Sequence, residues 1–346
     1  MSKNIIIIGA GLSGLNLAYQ LQKQGIKSTI LESRNRLGGR INTVNNKDLT
    51  LELGATWFAD KHMHLSKLLD ELRLDKVEQD YGRFAIYEYP DGKAQLYELP
   101  EQQEASYRIK GGTSVLIEAL FKSLNTEQIH LNTRVQSLDF TQSEIIVATD
   151  QGQFKADAVI NTLPPNLFLN QIKTNPFLPQ EQKNLFAATH TWMGESIKVG
   201  LLSPTKFWHE REVGTIYSQR GPITEMYDHS NDHGFALKGF LHDQFNNYSR
   251  EAREHAVRSQ LSKFFGKESI EKCKYVEQTW RSESDTFYTY EKDIFPHQNN
   301  GHQLLRKPLF DGKLYMAGSE TASKFPGYLD GAIEASSEVM NELISN

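Results

Sequence analysis

Three glycines and one acid are the residues here whose types and spacing most plainly suit chemistry. Gly9, Gly11 and Gly14 follow four consecutive isoleucines, and Glu32 stands 18 positions beyond the last glycine. Glycines spaced in this way let main chain approach a pyrophosphate at a helix N-terminus, and an acid roughly 20 residues on accepts from a ribose hydroxyl. Three glycines alone also occur in ordinary turns. Strand, glycines, helix, second strand and acid in one unit make the dinucleotide reading the stronger one. An acid rather than an arginine at the strand end favours a free 2′-hydroxyl, hence FAD or NAD before NADP.

Two glycines and three arginines crowd the connection that follows, with Arg34, Arg36, Gly38, Gly39 and Arg40 inside seven positions. Guanidinium forks suit a pyrophosphate, and glycines let main chain come close. Arg34 by itself reads as part of a solvated loop. Further on, the stretch 192–201 alternates so that Ile197, Val199 and Leu201 share one strand face while Ser196, Lys198 and Gly200 share the other. Taken alone, Lys198 is an exposed strand lysine flanked by small residues.

The elements that must carry these residues are legible in outline. Ile5 to Ile8 suit a parallel strand buried on both faces. A helix runs from Leu12 to a C-cap at Gly25, and a second strand covers 26–31. A short strand over 51–57 ends in small residues, after which Asp60 N-caps a helix bearing Leu65, Leu68, Leu69 and Leu72. His62 and His64 in its first turn read as surface residues, having no third ligand for a metal. Residues 89–92 form the turn of a hairpin. Gly111 and Gly112 open a helix, and 129–160 reads as a three-stranded meander closed by Pro164 and Pro165. Residues 166–279 read as an antiparallel sheet with a helix from about Tyr248 to Phe265. The final helix, from about Leu329, carries a single buried stripe.

The 346 residues suffice for two domains with separate cores. The net charge is −5 without a dense basic block, which argues against a nucleic-acid partner. One cysteine, Cys273, excludes an intrachain disulfide and a multi-cysteine metal site and suits a reducing compartment. No apolar run approaches membrane-span length, and the N-terminal one is too short for a signal peptide, so the expected location is cytoplasmic.

These motifs resemble the flavin-containing amine oxidases, a family that includes monoamine, polyamine and L-amino acid oxidases, across most of the chain. The resemblance rests on the glycine turn, on Glu32, Arg36, Gly38, Gly39 and Arg40 at the family's E-x-x-x-R-x-G-G-R spacing, and on the Leu-Gly-Ala-x-Trp stretch at 53–57. It rests as well on Ala317-Gly-Ser-Glu-Thr and on Gly327-Tyr328 opening the last helix. It implies an α/β fold: a Rossmann-type FAD domain assembled from 1–80, 108–165 and 281–346, with a smaller antiparallel-sheet substrate domain from 81–107 and 166–280.

The cofactor implied is FAD, bound without a covalent link because Thr289 stands where monoamine oxidases carry the attaching cysteine. By the same resemblance Gly9, Gly11 and Gly14 hold the pyrophosphate and Glu32 the adenosine ribose. Arg36, Gly39 and Arg40 lie along the cofactor, and Val135 meets the adenine. Gly54, Ala55 and Thr56 pass close to the flavin, Glu320 meets the ribityl chain, and Tyr328 with Leu329 opens the helix facing the flavin pyrimidine. Lys198 then becomes the family's water-linked lysine at flavin N5, and Tyr290 pairs with Tyr328 in an aromatic cage, although core packing also accounts for two such tyrosines.

The expected activity is oxidation of an amine by hydride transfer to flavin N5, giving an imine and, with oxygen as acceptor, hydrogen peroxide. A desaturase or dehydrogenase of a non-amine substrate and a non-catalytic flavin-binding scaffold are the alternatives. Between Tyr81 and Gly111 the chain has only a hairpin where the family carries a helical roof. A bulky substrate, or an oligomer contact that covers the site, is therefore expected.

Overall fold

The computed structural model describes residues 3–46, 49–100 and 104–345. Strand Ile5–Ile8 lies in the centre of a five-stranded parallel sheet, between Ala158–Asn161 on one side and Ser28–Leu31 on the other. Leu314–Met316 and Ile129–His130 form the edges. The isoleucines are buried on both faces because helices cover one side and a second sheet the other. Helices Leu12–Lys23, Ser114–Ser123 and Leu329–Ser345 pack one core with Ile5 and Ile7. Ile6 and Ile8 pack with Leu138, Val147, Phe168 and Phe186. Helices Pro165–Gln171 and Gln180–Ala187 thus share a core with the parallel sheet. The parallel arrangement, drawn from three separated stretches of chain, is a Rossmann-type fold.

The smaller unit is a seven-stranded sheet ordered Lys274–Thr279, Ile197–Ser203, Phe235–Leu241, Ile223–Asp228, Val213–Ser218, Phe84–Glu88, Ala94–Glu98. It is antiparallel except where Phe84–Glu88 runs parallel to Val213–Ser218, which the alternation of side chains did not announce. Helix Arg250–Phe265 covers its far face, with Ser249 Oγ capping the N-terminus.

Several local expectations change, and helices Pro165–Gln171 and Gln180–Ala187 stand where the sequence reading begins the antiparallel sheet. The meander over 129–160 breaks at Asp157, because Gly152–Ala156 turns back on Ile145–Thr149 while Ala158–Asn161 joins the parallel sheet. The helix after 60 runs over Met63–Glu71 with His62 at its N-cap. Asp60 is instead held by Lys76 Nζ and the Tyr107 hydroxyl. His62 is buried, its Nδ1 accepting from the Ala59 amide at 3.1 Å.

Candidate active site

One cavity of about 340 Å³ runs from the carboxyl ends of the parallel strands to the face of the seven-stranded sheet. Its nucleotide end is lined by Gly9, Gly11, Leu12, Glu32, Arg34, Gly38, Gly39, Arg40 and Val135. Its other end is lined by Gly54, Ala55, Thr56, Trp57, Trp192, Lys198, Glu225, Phe240, Tyr328 and Leu329.

The glycine turn is shaped by contact. A Cβ at Gly14 would lie 2.0 Å from the Gly9 carbonyl oxygen, so only glycine lets this helix start so close to the strand. Gly14 itself does not line the cavity. No side chain caps the helix that begins at Leu12, so its first amides remain available to an anion. The Glu32 carboxylate, 4% exposed, accepts from the Ala10 amide at 2.8 Å and the Arg34 amide at 3.0 Å. That pins its orientation at the cavity edge, with acceptor capacity left for a hydroxyl.

The arginines divide their work differently from expectation. Arg36 turns onto the carbonyls of Leu37, Gly39 and Ile41 and does not line the cavity. Its role is to brace the glycine loop. Arg34, read from sequence as a solvated loop residue, does line the cavity, with its side chain 12% exposed and Nη1 3.5 Å from Glu283. Arg40 lines it too, gripped by Glu320. Glu320 is fully buried behind Arg40 and does not itself line the cavity, touching its wall through Arg40 and Ser319.

Lys198 is not an exposed strand lysine. It is 5% exposed, donates to the Gly54 carbonyl at 2.5 Å, and lies 4.8 Å from the Phe240 ring centre and 5.5 Å from that of Trp57. Burial pushes its pKa down to about 8 against the pull of Glu52 and Glu225. The sequence reading also missed Lys238, fully buried on the neighbouring strand. Its only sequence signal is a lysine at an apolar-face position of a strand otherwise composed of Phe, Ala, Leu and Gly.

The expected pairing of Tyr290 with Tyr328 is not formed. Tyr290 stays behind the cavity wall, where its hydroxyl accepts from the Thr191 amide at 2.7 Å and its ring stacks on His190. Between the two tyrosines stand Trp192 and His297, stacked 3.9 Å apart. Tyr328 lies 6.0 Å from Trp192 and from His297. Burial lowers the pKa of His62, His190 and His297 below the usual histidine range, so these rings form a neutral aromatic wall. None of the described residues groups into a three-ligand metal site.

Glycine main chain at one end and a buried cation with aromatic rings at the other fit an extended dinucleotide whose reactive end lies near Lys198. At Gly54 a Cβ would sit 2.4 Å from the Arg40 carbonyl, so the two cavity-lining loops touch through bare backbone.

The family model for flavin containing amine oxidoreductases matches residues 12–102 and 90–341, its two pieces meeting at the hairpin. A probable flavin-containing monoamine oxidase A of Dictyostelium discoideum is 23% identical over 449 positions, covering 98% of this chain and 97% of the relative. The flavin-containing amine oxidase B of Sus scrofa is 24% identical over 452 positions, covering 99% and 86%. These alignments are longer than this chain, so the relatives carry segments it lacks. Among solved structures, wild-type putrescine oxidase bound to putrescine superposes with a TM-score of 0.86 at 21% identity over the whole of both chains. Cyclohexylamine oxidase from Brevibacterium oxydans gives 0.85 at 18% identity, covering 99% of this chain and all of the other.

Proposed function

Because this chain belongs to the flavin-containing amine oxidoreductase family, with FAD as its cofactor, we propose that it oxidises an amine that carries a second cationic group. FAD, when bound, supplies the two-electron acceptor that takes a hydride equivalent from the carbon next to nitrogen and hands the electrons to oxygen, leaving hydrogen peroxide and an imine that water hydrolyses. The protein's part is to hold, orient and exclude.

With FAD bound, amides of the turn at 9–13 would receive the pyrophosphate, Glu32 would accept from the ribose hydroxyls and Val135 would meet the adenine. Arg40, fixed by Glu320 and braced by the loop that Arg36 holds together, would lie along the chain between them. The first turn of helix Leu329–Ser345, from which Leu329 and Ala332 line the cavity, would lie at the flavin pyrimidine and favour negative charge there. Trp192 and Tyr328 are the rings that confine the reacting amine, with His297 behind them. Tyr290 supports Trp192 from the second layer through the Thr191 amide.

The observation that carries the substrate class is Glu225. This carboxylate lines the cavity next to Lys198 and Phe240, and the Tyr227 hydroxyl fixes one of its oxygens at 2.8 Å. A carboxylate beside the Phe240 and Trp57 rings suits an ammonium held away from the reacting carbon. The two matched segments overlap at 90–102, next to a hairpin formed by Phe84–Glu88 and Ala94–Glu98, and a short hairpin at this place favours an open mouth and a long or bulky substrate. The test is oxygen consumption with matched monoamines and diamines. Preference for diamines that Glu225→Gln abolishes supports the reading, and equal kcat/KM for both series in the wild type refutes it.

A further inference from the structure

Lys198 and Lys238 lie on adjacent antiparallel strands, where Gly200 stands opposite Lys238. Opposed residues share a face, and so do residues two apart in one strand, so the two lysines are diagonal neighbours on the face turned toward the loop at 54–57. Each amine has an uncharged acceptor in that loop. Lys198 Nζ donates to the Gly54 carbonyl and Lys238 Nζ to Thr56 Oγ1. Thr56 Oγ1 in turn donates to the Gly54 carbonyl at 2.9 Å. Lys238 Nζ also sits 3.7 Å from the Trp57 ring centre. The chain Lys238, Thr56, Gly54, Lys198 is therefore continuous in hydrogen bonds, and Gly54 and Thr56 both line the cavity. Lys238 itself does not.

We propose that Lys238 is a positioning residue: by orienting the Thr56 hydroxyl onto the Gly54 carbonyl it fixes the cavity-lining loop and the anchor of Lys198. This rests on the cofactor assignment above and goes beyond it. A fully buried lysine is costly, because its amine must shed a proton that the unfolded chain keeps. The groups around it offer little relief. Lys198 and Arg108 are cationic, His229 is neutral, and Glu52, itself pushed up by burial, and Glu225 are the carboxylates acting on it. Met would fill the same volume against Trp57 without that cost. Retention of an amine here is explained by what it holds.

The experiment measures FAD affinity of the apoprotein by flavin fluorescence, beside thermal melting, for the wild type, Lys238→Met, Thr56→Val and the double variant. The expected result is about tenfold weaker FAD binding for each single variant, no further loss in the double, and a Tm for Lys238→Met equal to or above the wild type. In turnover, kcat should fall with KM unchanged. Wild-type affinity in Lys238→Met, multiplicative losses in the double variant, or a Tm lowered in step with the affinity would each overturn the proposal. A wild-type apoprotein that takes up no FAD would overturn the cofactor assignment and this proposal with it.

Discussion

Arg40 and Glu320, 280 positions apart in the chain, meet in a two-pronged ion pair: Nη1 lies 2.5 Å from Oε1 and Nη2 3.1 Å from Oε2. Ser319 Oγ accepts from the same Nη2 at 2.9 Å, which completes the fork. The pair ties the second glycine loop to the turn Ser319–Thr321 that follows the last strand and presents a fixed guanidinium to the cavity. Glu320→Ala should leave that guanidinium without its counter-charge and lower stability by roughly 3 kcal/mol, the scale for removing one partner of a buried pair. Denaturant melts of apoprotein would register it. An unchanged midpoint would mean that water already solvates Arg40.

Lys198→Met should retain FAD but lower kcat by ~10²-fold, the scale of losing a preorganised charge-stabilising group. Rapid mixing would separate the reductive from the oxidative half of turnover. Wild-type rates in both halves would reduce Lys198 to a packing residue.

The same residue sets a pH limb. Its folded pKa, about 8, lies below the usual lysine value, so its ammonium is lost as pH rises through about 8. Any rate that depends on the charge should decline across that point, and the limb should vanish in Lys198→Met. The stability sign is opposite to that of a salt-bridged lysine. Between about 8 and the ordinary lysine value the unfolded chain binds the extra proton, so this residue's contribution to stability grows as pH rises through that window. A kcat profile that is flat from pH 7 to 9 in the wild type would contradict the assignment.

FAD should come away completely on acid precipitation. Thr289 is exposed and lacks a thiol, and Cys273 is buried in the core of the seven-stranded sheet with Sγ directed at the Ser269 carbonyl. Yellow colour retained in the pellet would overturn this.

Gly14→Ala should abolish FAD uptake, since its Cβ would fall 2.0 Å from the Gly9 oxygen and push the helix off the turn. Gly25→Ala offers the control. It faces open space, though at φ +73 it carries a backbone strain of about 1 kcal/mol, and FAD uptake should survive. Equal FAD binding in the two variants would show that the helix adjusts.

The sequence by itself determined the nucleotide half of this protein. A buried strand, a glycine turn and an acid are read by a helix and two strands that are neighbours in the chain, so spacing along the sequence is spacing in space. It also determined that Lys198 sits beside small residues on a regular strand. What it left open are properties that arise between distant segments. Alternation assigns a side chain to a face but does not say whether that face is covered, so from its strand alone Lys198 reads as exposed, the resemblance alone places it at the flavin, and the 54–57 loop that roofs it is a tertiary feature. Lys238 carries no motif at all, because its meaning lies in Thr56, 182 positions earlier. In the sequence Arg36 holds the motif position and Arg34 reads as a solvated loop residue, yet it is Arg34 that lines the cavity. Only the turn of the loop decides that one faces the cavity and the other its own backbone carbonyls. The family resemblance pairs Tyr290 with Tyr328 in a cage, yet His190, Trp192 and His297 pack between them, and ring packing is settled by tertiary contact alone.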